Sequence, residues 1–165
     1  MKRWIGILLG ILVLVGLAIG VYQFRDHPKA VNGAVNFEVD RIGGGKIKSD
    51  DYKGKVIILD FWATWCPPCV ASTADLNALA KEYKDKDMVI IGLSMDRDLS
   101  AVPTFMTAHA IRYPIGLASN KEISLVGGVS AIPTLVILDR EHRIITKLLG
   151  YQDPSALKAL VDPLL

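Results

Sequence analysis

The chain has 165 residues, 22% of them charged, a formal net charge of +2 at pH 7 and two cysteines. That length suits one globular domain of about 100–200 residues, able to bury a core without stapling. The near balance of acids and bases leaves no electrostatic footprint for nucleic acid, and two cysteines are too few for a disulfide-scaffolded mini-protein.

Residues Ile5 to Val21 are apolar without a charge. As a helix, Trp4 to Phe24 would reach about 31 Å, the thickness of a bilayer's hydrocarbon core. Trp4 and Tyr22 sit near its ends, where amphipathic aromatics favour the interface, and Lys2 and Arg3 precede it. The positive-inside rule then puts the N-terminus in the cytoplasm and all that follows Arg25 outside. A cleaved signal peptide is the rival reading, with Ala18-Ile19-Gly20 as its small-x-small site; the apolar run is long for one, and a retained anchor over residues 1–24 is expected. Residues 25–36, polar with Pro28 and Gly33, read as a linker to a domain over 37–165.

Apolar and polar residues alternate on both sides of Gly43-Gly44-Gly45, which predicts a hairpin with glycines in the turn. A phosphate loop would need a lysine and a hydroxyl opening a helix, and none follows. Ser49 is expected to cap a short turn of helix that stops at Gly54. The run VIILDFW (56–62) predicts a central strand buried on both faces. A helix should follow the cysteines, with Leu76, Leu79, Ala80 and Tyr83 as its inner stripe. MVIIGLSM (88–95) is a second buried strand, and Ser100 should cap a helix carrying Val102, Phe105, Met106 and His109. A short helix capped by Asn120 closes at Gly127. TLVIL (134–138) and RIITKLL (143–149) form a strand pair across a turn in which His142 is expected to be solvated. Asp153 with Pro154 opens a last helix through Leu157, Leu160 and Val161. The order predicts an α/β fold: a central mixed sheet with helices on both faces, preceded by a hairpin.

Cys66 and Cys69 stand in LDFWATWCPPC (59–69). A structural staple is a poor reading, because bridging residues three apart closes almost no loop. A zinc clip commonly needs four ligands, and no second pair or nearby histidine is present. A redox pair has a mechanical basis. A cysteine between a strand and a helix points its sulfur at free backbone N–H groups and the positive end of the helix dipole, which stabilises thiolate. Pro67 is preorganised for the first helical turn. Cys66 would attack a partner disulfide and Cys69 would resolve the mixed disulfide.

DFWATWCPPC resembles the active site of thioredoxin-fold oxidoreductases, and VSAIPTLVIL (129–138) their second signature, whose proline, here Pro133, is cis and faces the cysteine pair. The resemblance is closest to the membrane-anchored TlpA/ResA-like branch, over about residues 34–150. It implies a thioredoxin-like fold and an extracytoplasmic reductase, often serving cytochrome c maturation. It further implies that Pro133 with the backbone of Ile132 holds the partner polypeptide, beside a rim formed by Trp65 and Pro67.

Two departures stand out. Members of that branch commonly follow the second cysteine with a basic residue, an acid and a proline, where this chain has Val70, Ser72 and Ala74. Asp60 occupies the place of the buried acid of ordinary thioredoxins, where many TlpA-like proteins carry asparagine. An acid inside a buried strand should have a raised pKa and could take and return the Cys69 proton; the competing reading is an acid facing solvent. Ala63 replaces the threonine a peroxiredoxin would need, and the cysteine spacing is wrong for copper-delivery relatives.

The expected function is thus an extracytoplasmic thiol–disulfide oxidoreductase, reducing partner proteins (apocytochrome c among the candidates) with electrons from a membrane thiol donor. No cofactor or metal is expected beyond the Cys66–Cys69 couple. A disulfide oxidase or isomerase using the same residues is the alternative, and a copper-binding or interaction module the reading from a different class.

Overall fold

The computed structural model describes residues 33–165. The membrane anchor expected over residues 1–24, its cleavage alternative and most of the expected linker lie outside the described residues. Among the described residues no helix is long and apolar enough to cross a membrane.

The two flanks of the triple glycine form an antiparallel hairpin, β1 (Glu38–Asp40) and β2 (Lys46–Lys48). The buried run forms β3 (Val56–Trp62), every residue of which is buried. It leads through the cysteines into α1 (Pro67–Glu82) and β4 (Met88–Ser94). Then come α2 (Ala101–Ala108), β5 (Ile115–Leu117) and α3 (Asn120–Leu125). The chain ends with β6 (Thr134–Leu138), β7 (Ile144–Leu149), α4 (Pro154–Val161) and a 3-10 turn at Asp162–Leu164.

The five longer-range strands make one mixed sheet in the order β5-β4-β3-β6-β7. β3 runs parallel to β4 and antiparallel to β6, and β6 is antiparallel to β7. Side chains alternate across each strand, so the sheet separates two apolar layers. On one face Val56, Ile58 and Trp62 pack with Cys69, Leu76, Leu79 and Tyr83 from α1 and its end, Val102 from α2, and Leu157 and Val161 from α4. On the other, Ile57, Leu59 and Phe61 pack with the hairpin residues Val39 and Ile47 and with Val126 after α3. Val35 is also buried there, and its N–H donates to the His142 carbonyl at 2.8 Å, so packing begins ahead of β1.

The structure corrects five local expectations. β5 was not foreseen: it is three residues long and centred on Gly116, where a Cβ would come 2.4 Å from Val39 Cγ2, so the glycine lets the hairpin lie on the sheet. Ser49 caps nothing; it is the first residue of a 3-10 turn, and its Oγ accepts the Phe37 N–H at 3.2 Å. Ser100 has no side-chain cap bond, and its own N–H donates to Asp98 Oδ1 at 3.0 Å. The cap of α3 is Ser119 rather than Asn120, in a reciprocal capping box with Glu122. His142 is not solvated: it is 4% exposed, adopts φ 60° and places Nε2 3.1 Å from the Tyr52 carbonyl oxygen. His109, by contrast, is exposed at the end of α2, stacked on Phe105 with ring centroids 4.1 Å apart.

Candidate active site

Strands β3 and β4 run parallel, so their C-terminal ends lie at the same edge of the sheet, where α/β folds place their chemistry. β3 ends at Trp62, and a turn closed by the Cys66 N–H on the Ala63 carbonyl at 3.2 Å carries the chain into α1. Cys66 is the N-cap of that helix, in an extended conformation, and Pro67 and Pro68 open its first turn. Proline is favoured there because its fixed φ is helical and its missing N–H would lack an intrahelical partner anyway.

Cys66 and Cys69 are joined as a disulfide, their Cα atoms 5.2 Å apart. Cys66 is 3% exposed and Cys69 is 1% exposed. The Cys69 N–H donates to Cys66 Sγ at 3.3 Å. It is the sole hydrogen-bond donor to that sulfur among the described residues, because neither proline has an N–H to offer. Cys66 Sγ also lies 3.7 Å from the Ile132 carbonyl oxygen. The Ile132–Pro133 peptide is cis. Two distant segments, Cys66–Cys69 and Ile132–Pro133, are thus brought together. Trp65, which precedes Cys66 in the chain, is 68% exposed, and Pro67 is exposed as well.

Ser72, standing where the resembled pattern has an acid, is buried, and its Oγ donates to the Cys69 carbonyl at 2.9 Å. The Thr73 hydroxyl donates to the same oxygen at 3.0 Å. These bonds add to the hold on the helix turn that carries Cys69.

Asp60 does not face solvent. It is buried and register-paired with Gly92 on one side and Leu135 on the other. Strand alternation puts its side chain on the face of β3 that carries Ile58 and Trp62, the layer that contains Cys69. Its Oδ1 has no hydrogen-bond partner, nor has the Trp62 Nε1 on the same face. Burial without a compensating cation disfavours the carboxylate, and the Asp60 pKa is pushed up to about 7. Burial, with the Asp60 charge as a second cause, also holds the Tyr113 phenol well above its ordinary range.

Sequence reasoning missed three contributors. Asp96, just beyond β4, accepts hydrogen bonds from Thr64 and Ser94. Tyr113 and Gly92 shape the surroundings of Asp60. The only signal for Gly92 was a glycine inside an otherwise mostly apolar strand; an acid in a loop and a single tyrosine gave none. No group of three or more histidine, cysteine or acidic side chains that could hold a metal ion occurs among the described residues.

A dithiol–disulfide switch at the start of a helix, opposed by a cis-proline just ahead of an adjoining strand, defines a thioredoxin-fold thiol–disulfide oxidoreductase. The comparisons with known proteins agree: the chain belongs to the Redoxin family, which it matches over residues 32–161, and is TlpA/ResA-like. It is 33% identical over 154 residues to the thiol-disulfide oxidoreductase ResA of Bacillus thuringiensis (strain Al Hakam), covering 90% of this chain and 89% of that protein. Among solved structures it is similar to a thioredoxin-family thiol:disulfide interchange protein from Chlorobium tepidum TLS. That likeness has a TM-score of 0.75 and 26% identity, over 80% of this chain and 94% of the other. A secreted thiol-disulfide isomerase from Corynebacterium glutamicum is also similar, with a TM-score of 0.73 and 25% identity, over 78% and 83% of the two chains.

Proposed function

We propose that the protein is an extracytoplasmic protein-disulfide reductase, held to the membrane by residues 1–24 and recharged by a membrane thiol donor. In the dithiol form the Cys66 thiolate attacks one sulfur of a partner disulfide and expels the other as a thiolate. Cys69 then loses its proton to the Asp60 carboxylate and attacks Cys66 Sγ, forming the Cys66–Cys69 disulfide and releasing the second partner sulfur. Asp60 returns that proton to a departing thiolate, and water supplies the other. Two electrons and two protons have passed to the partner. An extended polypeptide would lie across Ile132 and Pro133 by strand-like pairing, against the rim of Trp65 and Pro67. Apocytochrome c is one candidate partner.

The observation that carries the direction is the single N–H on Cys66 Sγ. A pair becomes a strong oxidant when its reduced form, and above all its thiolate, is stabilised. Two successive prolines withdraw donors that would do so, which favours the disulfide and makes the dithiol reducing. Equilibrating the full-length protein with glutathione and dithiothreitol tests this. The expected potential is near or below about −250 mV, and a value of about −120 to −180 mV would establish the oxidase or isomerase reading instead. The similarity to a protein described as a secreted thiol-disulfide isomerase supports that second reading. If no reversible disulfide forms, both give way to a copper-binding or interaction module.

A further inference from the structure

We propose that Asp96 is a positioning residue for Cys66, acting through Thr64, and that its charge biases the cysteine pair toward the disulfide. The proposal rests on the assignment of Cys66 as the attacking cysteine. Asp96 Oδ1 accepts the Thr64 hydroxyl at 2.6 Å, and the Thr64 N–H approaches Oδ1 and Oδ2 at 3.2 and 3.1 Å. Oδ2 also accepts the Ser94 hydroxyl at 2.8 Å, and the Asp96 N–H donates back to Ser94 Oγ at 3.2 Å. Ser94 is buried at the end of β4, in register with Trp62, whose carbonyl accepts the Met95 N–H at 2.8 Å. One carboxylate therefore ties the ends of the two central strands to the residue two places before Cys66.

The turn from Ala63 to Cys66 has one hydrogen bond of its own, from the Cys66 N–H to the Ala63 carbonyl. At its far end the Cys66 carbonyl accepts the Cys69 and Val70 N–H groups of α1 at 3.0 and 3.1 Å, and at Thr64 the restraint comes from Asp96, through charge-assisted bonds of the stronger kind. Trp65 rides on the same turn and shares an open groove of about 470 Å³ with Thr64, Met95, Asp96, Arg97 and Ala101. The clamp thus sets the direction of the nucleophile and the stance of the exposed indole together.

A fixed negative charge beside this turn disfavours a second one on Cys66 Sγ and leaves the neutral disulfide unaffected. Asp96 consequently weights the equilibrium against the thiolate-bearing dithiol. Neighbouring ionisable groups are few. Asp98 lines the groove but caps the Ser100 N–H, and the exposed Arg97 forms no ion pair among the described residues. Asp60 lies behind on β3, Asp75 stands on α1, and the Ala131–Thr134 segment contributes no charge.

The test uses the full-length protein, reduced, with Asp96→Asn, Thr64→Val and Thr64→Ser variants. Three quantities are read: the pH midpoint of iodoacetamide alkylation mapped by mass spectrometry, the equilibrium with glutathione, and the melting temperature. Asp96→Asn should lower the alkylation midpoint and move the glutathione equilibrium about threefold to tenfold toward the dithiol, a rise of about 15–30 mV. Thr64→Val, which keeps the charge and loses the hydroxyl, should slow alkylation of Cys66 at fixed pH by about threefold or more, with rates restored in Thr64→Ser. Changes confined to melting temperature, with midpoint, rate and equilibrium as in the wild type, would overturn the proposal and leave Asp96 a structural tie. Should Asp96→Asn fail to fold, the valine–serine pair decides. Alkylation of Cys69 before Cys66 in the wild type would instead overturn the nucleophile assignment, whatever the Asp96 variant does.

Discussion

Asp60 is the residue at which folding and chemistry pull in opposite directions. An acid buried in a central strand with a free oxygen destabilises the fold once it ionises, yet a proton acceptor for Cys69 must be able to ionise. Its pKa rises from 3.8 in the exposed state to about 7 in the folded one. The sign of the resulting pH dependence follows directly. Below about pH 4 both states hold the proton, and Asp60 contributes no slope. Between about 4 and 7 the unfolded chain has released its proton and the native state has not, so stability falls as pH rises. Above about 7 the loss levels off, at an order of magnitude of about 4 kcal/mol for a shift of about three pH units. Denaturant unfolding of the oxidised protein at pH 4.5 and 8 should therefore show the wild type losing much more stability than Asp60→Asn. An equal loss in both would place the slope on another group. If Asp60 also moves the Cys69 proton, the same variant should accumulate the mixed disulfide at pH 7, visible by mass spectrometry after quenching with acid.

At the scale of the elements, the room beside Asp60 is made by β4. Gly92 is its register partner, and a Cβ there would stand 2.4 Å from Ile115 Cδ1, 3.0 Å from Trp62 Nε1 and 3.2 Å from Tyr113 Cε2. The glycine is a packing requirement: three large side chains close over the strand where it has none. Gly92→Ala should destabilise the protein by about 1–3 kcal/mol in denaturant unfolding, as overpacking of a rigid core does; a neutral result would mean that Ile115 can turn away. This site shows what sequence could and could not reveal. VIILDFW, TLVIL and the stripe of Leu76, Leu79 and Tyr83 were legible because burial on a strand or a helix face imposes a period that a single chain displays. The cysteine pair and Pro133 were legible through motif and resemblance. β5 was not, because three residues around Gly116 carry no period and exist as a strand only through β4 and the hairpin. Caps were misplaced at Ser49, Ser100 and Asn120 because serine, asparagine and aspartate compete for the same orphan N–H groups. Which one wins depends on neighbours such as Phe37, Asp98 and Glu122.

On the scale of the whole domain, the sheet separates reactivity from anchorage by its two ends. Cys66 and Asp96 follow the C-terminal ends of β3 and β4, and Pro133 immediately precedes β6. The opposite end, where β6 turns into β7, is tied down by His142. Its Nε2 meets the Tyr52 carbonyl, its backbone carbonyl takes the Val35 N–H and its own N–H donates to the Asp139 carbonyl at 2.9 Å. Asp139 in turn accepts the Arg143 N–H at 2.8 Å and the guanidinium Nε at 2.7 Å. A non-glycine residue at φ 60° is disfavoured, and here the surrounding bonds hold it in place. Replacing His142 with alanine leaves the backbone bonds possible, and the Tyr52 carbonyl keeps the Lys55 N–H at 3.0 Å, so the loss is that of one hydrogen bond, about 0.5–1.5 kcal/mol. His142→Ala should accordingly lower unfolding stability by that amount and leave the Cys66–Cys69 reduction potential within about 10 mV of the wild type, a change of roughly twofold in the equilibrium. Measuring both on one preparation discriminates between the alternatives: a potential that moves with stability would show that the sheet transmits strain from end to end, and a fixed potential that the active-site turn is held locally, by Asp96 and by the first turn of α1.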